Sequence, residues 1–320
     1  MIYTSITPEA FEESNISEDI HQMNEHIHSL LSNAPPSHEI PFDVLQDIRR
    51  KGGGLLAFQT YSDRAENKKV EYDNRKVMIR IFNQDNPKFI YLHIHGGGHC
   101  IGAADMQDQS LEKISKDLNC VVVSVEYRLA PNNPFPAAPD DCETAALWLI
   151  ENSENEFNTE KIIIGGESAG ANLSAVTLQR LKNKHLLDKI KGVNFVYGSY
   201  DARLTPSAVR KKSSEEIFLL SYEMIKKFRD SYFQGNENFC LPDVSPIQGD
   251  LSAMPPALFT VGTRDLLLDD SLFMYGRWLS YGSKAEIIIV PGADHAFDAF
   301  PSKTTTTVEN KIGEFIKSVT

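Results

Sequence analysis

Residues 161–176 constrain the fold most. An aliphatic run, Lys161-Ile162-Ile163-Ile164-Gly165, leads into Gly166-Glu167-Ser168-Ala169-Gly170, and Ala171-Asn172-Leu173-Ser174-Ala175-Val176 leads out. The apolar run reads as a buried strand and the following segment as a helix. The turn between them must be sharp. Glycines on both sides of the serine suit it, because a side chain at either place would clash with the neighbouring strand or helix. This reading makes Ser168 a nucleophile held proud of a sheet edge. A G-x-S-x-G alone arises by chance in about one chain in ten of this length, so its meaning depends on the rest of the chain.

The same strand-helix rhythm recurs. Residues 76–82 alternate as an edge or half-buried strand should, whereas 89–94 and 120–125 are continuously apolar, like central strands. Further strands are expected at 192–197, 257–261 and 285–290. Helices are expected around Leu111, Ile114 and Leu118, around Ala145 to Ile150, between the last two strands and at the end of the chain. Such alternation predicts an α/β class with a mostly parallel, doubly wound sheet and right-handed crossovers. Ligands then bind beyond the carboxyl ends of the strands. Two regions stand outside the rhythm. Residues 7–33 carry a helical stripe of Ile16, Ile20, Met23, Ile27, Leu30 and Leu31, and a second helix follows around Phe42 to Ile48. Both read as a layer laid over the domain. Residues 200–250 show no strand signal and one helix at about 222–232, as expected of a lid insertion.

The chain has 320 residues, 41% of them hydrophobic, enough for one large core. Its formal net charge of -12, with no long basic cluster, argues against nucleic-acid and anionic-membrane partners. The acidic, polar N-terminal stretch is neither a signal peptide nor an anchor, and no run reaches the length of a membrane span. A soluble, cytoplasmic protein is expected, and a homo-oligomer is compatible with the chain. Cys100, Cys120, Cys142 and Cys240 have no C-x-x-C spacing and read as reduced thiols. Arg49-Arg50-Lys51 before Gly52-Gly53-Gly54 lacks the Gly-Lys-Ser/Thr of a phosphate loop and reads as a solvated hinge.

A serine hydroxyl needs a base, and the base needs an acid to orient it. His295 lies in the loop 291–297 after the strand ending at Val290, and is the candidate base; its alternative is a loop histidine capping the next helix. Asp265 follows the strand 257–261 and is the candidate acid; its alternative is an N-cap. The order serine, acid, histidine fits both assignments. Asp269 and Asp270 fall inside the next helix, where they favour its dipole. An oxyanion needs preorganised donors. His95-Gly96-Gly97-Gly98 follows a central strand and offers bare backbone N–H groups, and the N–H of Ala169 would complete the set. His95 is expected to brace the loop, Glu167 to support the site and His99 to line the pocket. His93 and His95 share a strand face, as metal ligands do, but glycines stand where further ligands would be needed.

These motifs resemble the hormone-sensitive-lipase-like branch of the α/β-hydrolase esterases. The resemblance rests on His95-Gly96-Gly97-Gly98, Tyr127-Arg128-Leu129-Ala130-Pro131, Gly166-Glu167-Ser168-Ala169-Gly170, Asp265 with Leu267 and Asp269, and His295 with Phe297. It implies an α/β-hydrolase fold with helices on both faces of the sheet. It also implies a single domain over 1–320, capped by about 1–55 plus about 200–245. The implied activity is a carboxylesterase acting on a small-molecule ester, with Ser168 as nucleophile, His295 as base and Asp265 as acid. Gly97, Gly98 and Ala169 would form the oxyanion hole, with no cofactor and no metal. The chain departs from the family at Glu167, where Asp is common, and at His99, where a large aromatic is usual. Two other readings stay open at this point: a metal hydrolase, and a ligand-binding receptor on the same scaffold, against which the presence of His295 argues.

Overall fold

The computed structural model describes residues 1–53, 60–210, 216, 218–235 and 238–320. Two helices, α1 (Glu18–Leu31) and α2 (Phe42–Arg50), precede the sheet. The first strands, β1 (Ala65–Tyr72) and β2 (Arg75–Phe82), form a hairpin around Asp73 and Asn74, which take φ values of 49° and 61°. Two positive φ values in a two-residue loop match the right-handed twist of the flanking strands, and Asp and Asn tolerate them. Six strands follow: β3 (Ile90–Ile94), β4 (Val121–Glu126), β5 (Ile162–Glu167), β6 (Ile190–Val196), β7 (Ala257–Gly262) and β8 (Ala285–Val290). They order as β1-β2-β4-β3-β5-β6-β7-β8, with β2 antiparallel to both its neighbours and every pairing from β4 to β8 parallel.

The period of two along each strand sorts side chains onto two faces. Ile90, Leu92, Ile94, Val121, Val123 and Ile162 join one apolar cluster, together with residues of α4 (Ala137–Phe157), α5 (Ala169–Asn183) and α8 (Leu268–Ser280). Tyr91, Val122, Ile163 and Ile288 join another, with residues of α3 (Asp108–Leu118) and α9 (Lys303–Val319). The Ile20, Met23 and Ile27 stripe of α1 belongs to this second cluster, and Asp19 accepts a hydrogen bond from Thr304 N at 2.7 Å.

A third, smaller cluster lies beyond the carboxyl end of β7. It gathers Ala208 of α6 (Pro206–Arg210), Met224 and Ile225 of α7 (Tyr222–Phe233), and Leu266 and Leu267, with Phe42 and Leu45 of α2 packed against it. Phe42 stacks on Phe228 at 5.5 Å, and Lys227 Nζ donates to Ile40 O at 2.5 Å. The expected layer over the domain is therefore narrower at its N-terminal end. Here α2 packs with α6 and α7, whereas α1 helps cover a face of the sheet, because its apolar stripe is matched by α9. Residues 54–55, 211–215, 217 and 236–237 of the expected cap lie outside the described residues. The solvated hinge at Arg49-Arg50-Lys51 is also corrected. Both arginines end α2, Arg50 pairs with Asp105 at 3.3 Å, and burial lowers the Arg49 guanidinium pKa despite the pull of Glu167 and Tyr127. Among the described residues no helix is long and apolar enough to cross a membrane.

Candidate active site

Strand β5 ends at Glu167 and α5 begins at Ala169, so Ser168 occupies the turn, with φ 56° and ψ -119°. A non-glycine residue in such a sparsely populated region persists only where its surroundings over-determine it. Here Ser168 N donates to Val196 O at 2.9 Å, and the turn is pressed against β3. A Cβ added at Gly166 or at Gly170 would overlap the carbonyl oxygen of Ile94. Only glycine fits on either side of the serine.

Three sequence candidates from distant segments meet at this turn. His295 Nε2 lies 3.0 Å from Ser168 Oγ, and His295 Nδ1 lies 2.8 Å from Asp265 Oδ2. Asp265 is fully buried, and its other oxygen accepts from Leu267 N at 2.8 Å. Burial disfavours the charged imidazole, but Asp265, with Asp294 and Asp298 behind it, raises the His295 pKa above its ordinary value. Burial in turn pushes both Asp294 and Asp298 up to about 6. Sequence reasoning missed this outer ring. Asp298 accepts from Tyr197 Oη at 2.5 Å, and the Tyr197 ring meets His295 edge-on at 4.6 Å. Asp294 accepts from His295 N at 2.7 Å and from Leu219 N at 3.0 Å, tying the insertion to the histidine loop. Asp269 and Asp270 also bind the insertion. Asp269 accepts from Ser207 N at 2.7 Å, and Asp270 from Tyr200 N at 2.6 Å.

The glycine loop runs from the end of β3 past the serine. Gly97 (φ 117°) and Gly98 (φ 59°) adopt backbone conformations that L-residues avoid, and a Cβ on Gly98 would overlap the Phe228 ring. The N–H groups of Gly97, Gly98 and Ala169 donate to no acceptor among the described residues. His95 Nδ1 lies 2.8 Å from Gly96 O, its ring stacks on Tyr127 at 4.1 Å, and burial holds its pKa down to about 4. Glu167 lies beneath the loop. It accepts from Gly96 N at 2.7 Å, Gln107 Nε2 at 2.5 Å and His93 Nε2 at 3.1 Å. Burial opposes ionisation, but His93, Gly96 and Gln107 together hold this carboxyl below its usual range. Gln107 gave no signal in the sequence. His93 is further held by Ser124 Oγ at 2.9 Å from its Nδ1, so both ring nitrogens have protein partners. Among the described residues no group of three or more His, Cys, Asp or Glu is placed to hold a metal ion.

Gly98, His99, Ser168 and Ala169 border one cavity of about 70 Å³, whose other walls include Leu220, Ile225, Phe228 and Val244. His99 takes φ 63°, and its ring lies 3.9 Å from that of Tyr232, parallel within 3°.

A family model described as alpha/beta hydrolase fold matches residues 91–299. An arylesterase of Saccharolobus solfataricus is 30% identical over 283 residues, covering 86% of this chain and 90% of that protein. An ethyl acetate hydrolase of Pseudomonas putida is 28% identical over 233 residues, covering 70% of this chain and 72% of that protein. Among solved structures, a hyperthermophilic esterase from the archaeon Pyrobaculum calidifontis superposes with a TM-score of 0.84 at 24% identity, covering 95% of this chain and 98% of that one.

Proposed function

The chain belongs to the α/β-hydrolase fold family, as a carboxylic ester hydrolase, and from that premise we propose that it is of the hormone-sensitive-lipase-like branch and hydrolyses short-chain acyl esters through a Ser168–His295–Asp265 triad and an acyl-enzyme. The observation that carries this reading is the continuous run of contacts from Asp265 Oδ2 to His295 Nδ1 (2.8 Å) and from His295 Nε2 to Ser168 Oγ (3.0 Å). In the reaction Ser168 Oγ attacks the ester carbonyl carbon while His295 Nε2 takes the hydroxyl proton. The carbonyl π pair moves onto oxygen, and the N–H groups of Gly97, Gly98 and Ala169 receive it, each donor worth about 3 kcal/mol when preorganised. Collapse breaks the bond to the alkoxy oxygen, to which His295 returns the proton. Water then attacks the acyl-enzyme with the same histidine as base. Asp265 holds the imidazole in the working tautomer and stabilises its cation. Glu167 and His95 keep the glycine loop in register.

The short-chain preference rests on size. A cavity of about 70 Å³ is less than half the ~150 Å³ that admits a benzene ring, so it suits acyl groups of a few carbons. The similarity to an ethyl acetate hydrolase points the same way. The cap in this proposal is the layer of α2, α6 and α7, which closes the cavity over the carboxyl ends of the strands.

Because His295 must be neutral to accept a proton and its pKa is raised, activity falls as pH drops through that raised value. The acid limb of kcat/KM for p-nitrophenyl butyrate is expected to have its half-point above pH ~6.5, the ordinary histidine value. A half-point at or below that value contradicts the assignment. The direct test of the nucleophile is a fluorophosphonate, which is expected to form one adduct, on the peptide containing Ser168. Absence of an adduct, or labelling at another residue, refutes the reading.

A further inference from the structure

We infer that Gln46 of α2 is a positioning residue for the oxyanion donors: it clamps Gly102, where the glycine loop closes, and so keeps Gly97 and Gly98 in the geometry that receives the negative oxygen. This rests on the esterase reading of Ser168 and adds to it a residue from outside the sheet and its loops. Gln46 Nε2 donates to Gly102 O at 2.9 Å, and Gly102 N donates to Gln46 Oε1 at 2.8 Å. One side-chain amide thus serves both backbone groups of one residue. Gly102 is buried, and among the described residues no other group bonds its N–H or its carbonyl. Without the clamp two buried backbone groups lose their partners, and the loop must move to find others.

Movement at Gly102 reaches the donors by direct contact. Gly97 O accepts from Cys100 N at 3.1 Å and from Ile101 N at 3.0 Å, so residues 97–101 form one tight turn. A Cβ on Gly97 would overlap Ile101 O, and one on Gly102 would lie 2.6 Å from Gly96 O and 2.7 Å from His95 Nδ1. The two ends of the loop therefore touch with no side chain between them, and close-packed backbone transmits a shift. The domain holds the first end: Glu167 accepts from Gly96 N at 2.7 Å, and Tyr127 Oη donates to His95 O at 2.8 Å. The second end depends on Gln46, which lies 56 residues earlier in the chain. The helix that carries Gln46 is anchored on both sides of the clamp. Arg50 pairs with Asp105, and Phe42 stacks on Phe228, whose ring lies where a Cβ of Gly98 would be. Thus α2 reaches the loop directly at Gly102 and through Phe228 at Gly98.

Two inhibitors of the same shape test this. With 1,1,1-trifluoro-2-pentanone, Ser168 Oγ adds to the carbonyl carbon, the hydroxyl proton passes to His295, and the carbonyl π pair becomes an oxyanion in the hole. 2-Pentanone is too weak an electrophile to form that adduct and reports ground-state binding. Gln46→Met keeps the side-chain length and removes both hydrogen bonds. Gln46→Glu keeps the acceptor for Gly102 N but sets a carboxylate oxygen against Gly102 O. Each variant is expected to weaken the trifluoro ketone about tenfold and to lower kcat/KM for p-nitrophenyl butyrate about tenfold, with the 2-pentanone Ki within about twofold of the parent. A Gln46 that only anchors α2 over the cavity would weaken both ketones alike and leave their ratio unchanged. That equal loss, or a Gln46→Met variant within about twofold of the parent on all three measurements, overturns the inference. If Gln46→Met fails to fold, Gln46→Glu decides by the same criteria. A parent that forms the adduct while the variants match it removes this inference alone. A parent that binds the trifluoro ketone no better than 2-pentanone and escapes Ser168 labelling removes the esterase mechanism beneath it as well.

Discussion

Ser168→Ala is expected to lower kcat for p-nitrophenyl acetate and butyrate by about 10⁵- to 10⁶-fold, or ~7–8 kcal/mol of barrier. The magnitude follows from the unit to which the hydroxyl belongs. Without Oγ there is no atom to form the acyl-enzyme, and the pair formed by His295 and Asp265 has no proton to move. The variant should fold as the parent does. Ser168 is the N-cap of α5, but its side chain makes no capping hydrogen bond, so alanine removes no helix cap. Its backbone N–H bond to Val196 O is unaffected by the substitution. The left-handed φ of 56° is equally strained for serine and alanine. The measurement is turnover alongside thermal unfolding. A midpoint within about 2 °C of the parent is expected, since ΔΔG should stay well under ~1 kcal/mol. Turnover within tenfold of the parent would falsify the nucleophile assignment.

Asp265→Asn is expected to cost about 10⁴-fold in kcat, or ~5.5 kcal/mol. Leu267 N donates to one oxygen of Asp265 and His295 binds the other. The asparagine amide must offer its single oxygen to Leu267 N, so its NH₂ faces His295 Nδ1. Nδ1 then accepts, the ring proton moves to Nε2, and Ser168 meets a donor where it needs an acceptor. Loss of the negative charge also removes a main influence raising the His295 pKa, so the acid limb of the residual activity should shift to lower pH. Fluorophosphonate labelling should slow in parallel. The competing role for Asp265 is purely local, as the acceptor for Leu267 N in its own turn. That role predicts a loss below tenfold and an unshifted pH limb.

Much of the candidate site can be read from the sequence because its parts carry local signatures. The glycines around Ser168 and in the loop after β3 mark places where a Cβ has no room or φ is positive. Asp265 and His295 are legible because each follows an apolar run, and the carboxyl ends of parallel strands share one edge of the sheet. The supporting groups have no such mark. Gln107 reaches Glu167 across 60 residues, Asp298 receives Tyr197 across 101, and Asp294 receives Leu219 across 75. A single polar side chain in a loop or at a strand end has no periodicity to reveal its partner. The packing partner of α1 escapes the sequence for a related reason. The apolar stripe of α1 announces that one face is buried but does not say against what, and here it joins the same cluster as α9 instead of the layer over the site.

By itself the sequence determined the class of fold, the polarity of the sheet and the segments that gather at its carboxyl edge. Helical and strand periodicities are local properties of the chain, and glycine is dictated by backbone geometry at individual positions. Only the tertiary structure decided which of these segments touch. It brought His295 to Ser168 across 127 residues, placed an ionised Glu167 under the glycine loop, and stacked His99 on Tyr232. Those outcomes depend on how the side chains pack and on which buried polar atoms find partners, and neither is written in the spacing of residues along the chain.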